Sequence, residues 1–357
     1  MKSDFGIFWL SSAIVICFVF PLYACNTPVF QYALLRWIPD TYRIFIFYEH
    51  DFTRQQQQAL DMLDRLEQRS LILHKCVKIH DIRKADNITE KLRKFVENTD
   101  VPLPLLVVQY PSSSGLDKII YADTLSASAV RKISSSPIRR KIANILLRGD
   151  TIVWLILLSN DANLNKRVGK LLSTELRKYA SKYQQENLSE IKFEIIKIHR
   201  NDSEEKFLVN LLTKLKSNFR SEENKLIAYP IFGKGRILFP ISEEKLTAEA
   251  ISVACDFMTG PCACEIKEQN PGVDLLIDID WDNSVSASGE LIEQMLPSPE
   301  NLKTASFHDR IKSEEKDVTP LDDKIGKTSK NIAIYITIAA IFIGFGIVSF
   351  IIYRLRK

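Results

Sequence analysis

The chain is poor in the residues that define several protein classes. Its 357 residues include 12 glycines, 14 prolines and six cysteines, too few for a collagen-like repeat, a proline-rich low-complexity chain or a disulfide-dense scaffold. Long runs of one charge are missing as well. Lysine and arginine exceed aspartate and glutamate by only four, and no basic run is longer than a few residues, so the charge pattern offers no footprint for nucleic acid. The body of the chain holds no GxSxG, no HExxH, no Walker loop and no GxGxxG opening a helix. That removes the motif-borne hydrolase, zinc-protease and nucleotide-binding readings. Apolar residues, by contrast, make up 46% of the chain, and the excess is concentrated at its two ends.

Residues 5–20 (FGIFWLSSAIVICFVF) follow Lys2 and precede Pro21-Leu22-Tyr23-Ala24-Cys25. A basic start, an apolar stretch and a small residue before a break predict a secretory signal peptide over residues 1–24, with an uncleaved membrane helix as the alternative. Leu22-Tyr23-Ala24-Cys25 is also similar to a bacterial lipobox, which makes Cys25 a lipidation candidate; otherwise Cys25 stands beside an ordinary cleavage site. Residues 332–353 (IAIYITIAAIFIGFGIVSFIIY) carry no charge. As a helix they rise about 33 Å, enough to cross a hydrocarbon core ~30 Å thick. Arg354-Leu355-Arg356-Lys357 follow, and a basic flank of this kind stays on the cytoplasmic side. The expectation is a single span in the cell membrane, with the body on the extracytoplasmic (periplasmic) side and residues 354–357 in the cytoplasm.

Between the two ends the sequence repeats itself. Arg43–Tyr48 and Ile152–Leu158 are short, apolar and rich in β-branched and aromatic residues, and each precedes a helical pattern, near 53–68 and 164–185. Val77-Lys78-Ile79-His80 then matches Ile196-Lys197-Ile198-His199 at an offset of 119. Each half continues with a polar stretch, a helix and a hairpin: Leu105–Tyr110 with Lys118–Ala122, and Lys225–Phe232 with Arg236–Pro240. Their turns hold Ser112–Gly115 and Gly233-Lys234-Gly235. Leu125–Val130 and Leu246–Ile251 match at an offset of 121 and open a last helix behind a Ser or Thr cap. The repeat unit is β-α-β-α-β-β-α, an α/β architecture.

This order, with Pro104 ahead of the Leu105 strand, resembles the thioredoxin fold across roughly residues 40–146 and 150–260. The runs at 25–37 and 257–276 are similar to those of exported bacterial envelope proteins. The resemblance implies two tandem thioredoxin-like modules, and it implies a place for catalysis: a CxxC where the first strand meets its helix, the thiol activated by the helix N-terminus. That place reads Glu49-His50-Asp51 in the first half and Ser159-Asn160-Asp161 in the second. Neither contains cysteine, so dithiol chemistry is absent from both expected sites.

Cysteines that do exist lie elsewhere. Cys17 falls in the signal segment and Cys76 in a strand, while Cys255, Cys262 and Cys264 cluster behind the last helix. In an oxidising envelope a bridge from Cys255 to Cys262 or Cys264 would staple that helix; a redox-active or metal-binding CxC at Cys262 and Cys264 is the other reading. No fourth Cys or His completes a closed zinc site nearby. His80 and His199 end the second strand of each half, and adjacent parallel strands converge at their carboxyl ends. His50 and His80, with Glu49, Asp51 and Asp81, are therefore metal or acid–base candidates; solvated strand-end histidines are the alternative. Gly233-Lys234-Gly235-Arg236 reads as a hairpin tip, and Val273–Asp274 leads into Leu275–Trp281, which alternates like an edge strand.

The expected organisation is a signal peptide over 1–24, an N-terminal segment over 25–39 packed on the first module or the membrane surface, and a first module over 40–148. A second module with a CxC extension spans 149–283, followed by a tether over 284–331, a transmembrane helix over 332–353 and a tail over 354–357. The function expected from this is protein interaction or scaffolding with envelope protein partners at the membrane, without a cofactor and without nucleic acid. The rival is a thiol-disulfide oxidoreductase or metal-handling protein using Cys262 and Cys264.

Overall fold

The computed structural model describes residues 25–84, 88–187, 190–215, 224–262, 267, 272–281 and 283–284. All belong to one of the chain's two units, residues 1–305. The expected signal peptide, the tether apart from Ser284, the apolar segment 332–353 and its basic tail lie outside the described residues, as does Cys264. Among the described residues no helix is long and apolar enough to cross a membrane.

A short strand β1 (Cys25–Pro28) and helix α1 (Val29–Arg36) come first. The first sheet is built from β2 (Tyr42–Tyr48), β3 (Ile72–Lys78), β4 (Leu105–Gln109) and β5 (Ile119–Thr124), in the spatial order β3-β2-β4-β5. β2 and β3 run parallel from Tyr42↔Ile72 to Tyr48↔Lys78, and the β2–β4 and β4–β5 pairs are antiparallel. Helix α2 (Arg54–Gln68) joins β2 to β3, α3 (Glu90–Glu97) joins β3 to β4, and α4 (Ala127–Ser134) and α5 (Pro137–Leu146) follow β5.

The second sheet is assembled in the same way. β6 (Thr151–Leu157), α6 (Ala162–Asn187), β7 (Lys192–Ile198), α7 (Lys206–Lys214), β8 (Ile227–Phe232) and β9 (Arg236–Ile237) give the order β7-β6-β8-β9 with the same parallel and antiparallel senses. β10 (Ile241–Ser242) adds to β8, and α8 (Ala248–Thr259) follows. β11 (Pro261–Cys262) pairs with β1, and β12 (Val273–Asp274) extends the sheet beyond β9. The protein is thus mixed α/β with two principal sheets.

Local chemistry places the helix starts. Thr53 and Gln56 close a reciprocal capping box on α2. The hydroxyls of Thr89, Ser126, Ser136 and Thr247 accept from the third amide of α3, α4, α5 and α8. Pro137 at the start of α5 divides the expected covering helix of the first half into two short ones.

Strand alternation then sorts the core. Ile44, Ile46, Leu106 and Val108 of the first sheet share one central cluster with Val153, Leu155, Tyr229 and Ile231 of the second, together with residues of α2, α4, α5 and α7. Phe45, Phe47, Leu105 and Val107 face the other way, onto α3. Ile152, Trp154 and Ile156 face α1, α6 and α8. Each sheet therefore has its first and third helices on one face and its second on the other. The first sheet turns its first-and-third face to the shared core, and the second sheet turns its second-helix face there.

One charge is sealed into that shared core. Arg139 of α5 is fully buried, and its guanidinium donates to the carbonyls of Lys132 (2.7 Å), Ile133 (2.7 Å) and Leu276 (2.6 Å) and to Ser136 Oγ (2.9 Å). The Ser136 hydroxyl donates in turn to Glu205, whose other oxygen accepts from the Ile138 amide at 2.7 Å. The guanidinium also sits 4.9 Å from the centre of the Phe207 ring. Burial pulls Arg139 down to about 10, against the opposing pull of Glu205, so it stays charged at neutral pH.

Two expectations about packing are corrected. The N-terminal segment lies on the second sheet rather than on the first module or a membrane surface: Phe30, Tyr32 and Trp37 join the cluster beneath β6 and α8, with Trp37 edge-on to Phe232 at 5.8 Å. The β8–β9 hairpin is what receives it. Gly233 has φ +58°, and a Cβ there would come within 2.6 Å of the Ala33 Cβ, so the missing side chain lets α1 approach the hairpin. The second correction concerns residues 275–281, which do not form an edge strand. Only Val273 and Asp274 pair with β9. Beyond them Leu275, Leu276 and Ile277 are all buried, the Leu276 carbonyl is taken by Arg139, and the Asp278 amide donates to the Ser134 carbonyl at 2.9 Å. The segment straps α4 instead of extending the sheet.

Candidate functional site

In the first half the carboxyl ends of β2 and β3 deliver the residues singled out from the sequence. β2 ends at Tyr48, and Glu49-His50-Asp51 lead directly into the Thr53 cap of α2. β3 ends in a single 3-10 turn, Ile79–Asp81. His50 is almost wholly exposed and lies 3.9 Å from Glu49, while His80, also exposed, lies 3.3 Å from Asp81. Each histidine is thus partnered by its sequence neighbour. Among the described residues the two do not belong to any group of three donors at metal-ligating distance. Beside His80 a cavity of about 500 Å³ opens between the 3-10 turn and the end of α3, lined by Ile79, Ile82, Arg83, Val96 and Leu103. The Leu103–Pro104 peptide that leads into β4 is cis.

In the second half the corresponding place is closed by polar side chains. Asp161 caps α6 by accepting from the amides of Asn163 (2.8 Å) and Leu164 (3.0 Å). Ser159 and Asn165 bond each other, and Asn160 donates to Asn224 at 3.1 Å. A cavity of about 650 Å³ lies here, lined by Ser159, Asn160, Asn165, His199, Arg200 and Asn224. Neither place contains a cysteine. The side chains of the second-half turn form a hydrogen-bonded polar surface.

Cysteine positions also differ from the expected staple. Cys255 lies fully buried on α8 as a free thiol, and burial pushes it well above the ordinary thiol range. Cys76 on β3 is a free, more exposed thiol, raised by partial burial and by the charge of Asp64. The register of β1 on β11 sets the backbone of Cys25 opposite that of Cys262, not Cys255. Cys76 and Cys255, the cysteines whose side chains are described, are both unbridged.

Two clusters were not anticipated. The first joins the start of β2 to the far edge of the second sheet. Arg236 contacts Asp40 (2.6 Å) and Asp274 (3.5 Å), and Lys267 contacts the same two carboxylates at 3.4 and 3.3 Å. Tyr42 donates to the Asp274 carbonyl at 2.6 Å. Burial and the neighbouring Asp40 raise the Asp274 carboxyl, while Arg236 and Lys267 oppose the shift. Two acids and two bases balance, which reads as a structural lock.

The second is Asp64 and Glu67 on α2 with His74 on β3, the one group of three or more His, Cys, Asp or Glu donors within 4.8 Å of one another among the described residues. Its signals in the sequence were spacings only: two acids three residues apart on a helix, and His74 two residues from Cys76 on a strand. Nothing local says that these two faces meet. No known family model matches the chain, and no curated protein is significantly similar to it.

Proposed function

We propose that this chain is an extracytoplasmic protein of the cell envelope, tethered by its apolar segment 332–353, whose two thioredoxin-like modules bind protein partners and carry out no dithiol exchange. The observation that carries the reading is the pairing of two facts. Both sheets have the strand order second-first-third-fourth, with the first two strands parallel and the first and third helices on one face, as in thioredoxin. Yet both strand-to-helix turns, Glu49–Asp51 and Ser159–Asp161, lack cysteine. Docking of the two modules through one shared core supports a rigid interaction body. The exposed apolar side chains of Ile38 and Leu73, beside the open edge of β3, line one groove of that body.

The test uses the full chain expressed in a bacterial envelope. Protease added outside the inner membrane should remove residues 25–283 while a C-terminal epitope after Lys357 survives inside. The purified protein should not catalyse exchange with a dithiol peptide, and Cys262→Ser with Cys264→Ser should leave that null result unchanged. Exchange activity that disappears in the Cys262→Ser/Cys264→Ser variant would replace the interaction reading with the oxidoreductase one. A body protected from external protease would overturn the tethered, extracytoplasmic placement.

A further inference from the structure

Asp64 and Glu67 stand three residues apart near the end of α2, so their side chains lie on one helix face. His74, the third residue of β3, projects toward that helix, because Ile72 on the same strand face belongs to the core containing α2. The fold closes the gap: His74 Nε2 lies 3.4 Å from Asp64 Oδ1, and His74 Nδ1 touches the Glu67 carboxylate. The imidazole is largely buried, with 13% of its side chain exposed, while Asp64 is 54% and Glu67 36% exposed. Nδ1 is shielded from solvent and makes no aligned hydrogen bond despite its contact with Glu67. The ring sets one nitrogen beside each carboxylate, and one imidazole nitrogen and one oxygen from each acid lie within 4.8 Å of one another, the spacing of a donor set.

We propose that Asp64, Glu67 and His74 form a binding site for a divalent transition-metal ion. One imidazole nitrogen and two carboxylate oxygens suit zinc and its first-row neighbours rather than calcium, which takes oxygen ligands alone. Two carboxylates and a neutral imidazole balance the charge of the ion. Their atoms, at most 4.8 Å apart, close around a cation through small side-chain rotations, since both acids are partly free in solvent. Three protein ligands on an accessible flank leave a coordination position open, the arrangement of a site that exchanges its metal or admits a further ligand rather than of a closed structural one. The site stands away from the Glu49–Asp51 turn and does not depend on the interaction reading.

Zinc and cobalt titrations of the full chain in detergent micelles test this, with calorimetry for zinc and visible absorption for cobalt. One equivalent should bind. His74→Ala should abolish binding, and Asp64→Asn or Glu67→Gln should each weaken it by more than the ~10–100-fold that loss of an outer-shell partner alone costs. Circular dichroism melting checks that the variants fold; the two isosteric variants, at partly exposed positions, carry the test if His74→Ala does not. Cys76→Ser and Cys262→Ser/Cys264→Ser should retain the equivalent. Absence of binding in the wild-type chain, or binding that survives Asp64→Asn and Glu67→Gln but is lost with the cysteines, overturns the proposal.

Discussion

Arg139 is where the account of the shared core meets its hardest test. Arg139→Met keeps an unbranched apolar stem of similar reach and deletes the guanidinium. The carbonyls of Lys132, Ile133 and Leu276 then lose donors that stood at 2.6–2.7 Å. Glu205, itself fully buried, loses the cation that balances it through the Ser136 hydroxyl. Removing one partner from a buried charge network costs about 3–5 kcal/mol, a large share of the ~5–15 kcal/mol that holds a typical domain. Glu205→Gln keeps an acceptor for the Ile138 amide and drops only the charge, so about 1–3 kcal/mol is expected. Because both residues act through Ser136, the double variant should lose less than the sum of the singles, with a coupling of about 1–3 kcal/mol. Arg139→Lys should recover little, since an ammonium cannot reach four acceptors spread around a planar fork. Urea unfolding of the full chain in micelles, followed by far-ultraviolet circular dichroism and by fluorescence of the buried Trp154, gives all four numbers. A loss below about 1 kcal/mol for Arg139→Met, or additivity of the pair within about 0.5 kcal/mol, would refute the claim that this network joins the two halves.

Cys255 should resist a thiol-specific reagent in the folded chain while Cys76 is modified, because Cys255 is buried and its thiol is pushed well up; peptide mapping that finds both labelled equally fast contradicts the burial. Arg236→Met removes one of the two cations facing Asp40 and Asp274, with an expected cost of about 3–5 kcal/mol near neutral pH. The Asp274 carboxyl is already raised in the folded state, so the folded chain binds its proton more tightly than the unfolded one. The stability this provides is complete below the ordinary carboxylate value near 4 and is lost as pH rises through the raised value. Denaturation of Arg236→Met at a series of pH values should therefore show the deficit shrinking toward acid, and a deficit independent of pH rules this account out. Gly233→Ala combines a left-handed backbone with a 2.6 Å approach to Ala33, and should cost about 1–3 kcal/mol; an unchanged melting midpoint would mean that α1 does not press on the hairpin.

Much of the fold was legible because it is written in local pattern. β2 and β6 are apolar runs of strand length, α2 opens on Thr53 with Gln56 three residues on, and Ser126 and Thr247 cap α4 and α8. The missing cysteines at Glu49–Asp51 and Ser159–Asp161 are a property of the sequence itself. Leu275 to Trp281 carry an alternating pattern, but the Leu276 carbonyl and the Asp278 amide are taken by Arg139 and Ser134, on α5 and α4 more than 130 residues earlier in the chain. An alternating pattern reports that one side is buried, not what buries it.

The sequence by itself determined two α/β halves of like element order, their helix starts, the absence of thiols at both strand-to-helix turns, and the apolar ends expected to place the chain at a membrane. These follow from chemistry within a few residues: side-chain period, cap oxygens, turn glycines and hydrophobic length. Only the tertiary structure decided that the two sheets share one core, and that α1 lies on the second sheet. It alone set Cys262 opposite Cys25 and brought Asp64, Glu67 and His74 together. Each of these depends on which faces bury one another, and a face carries apolar character in the sequence without naming its partner.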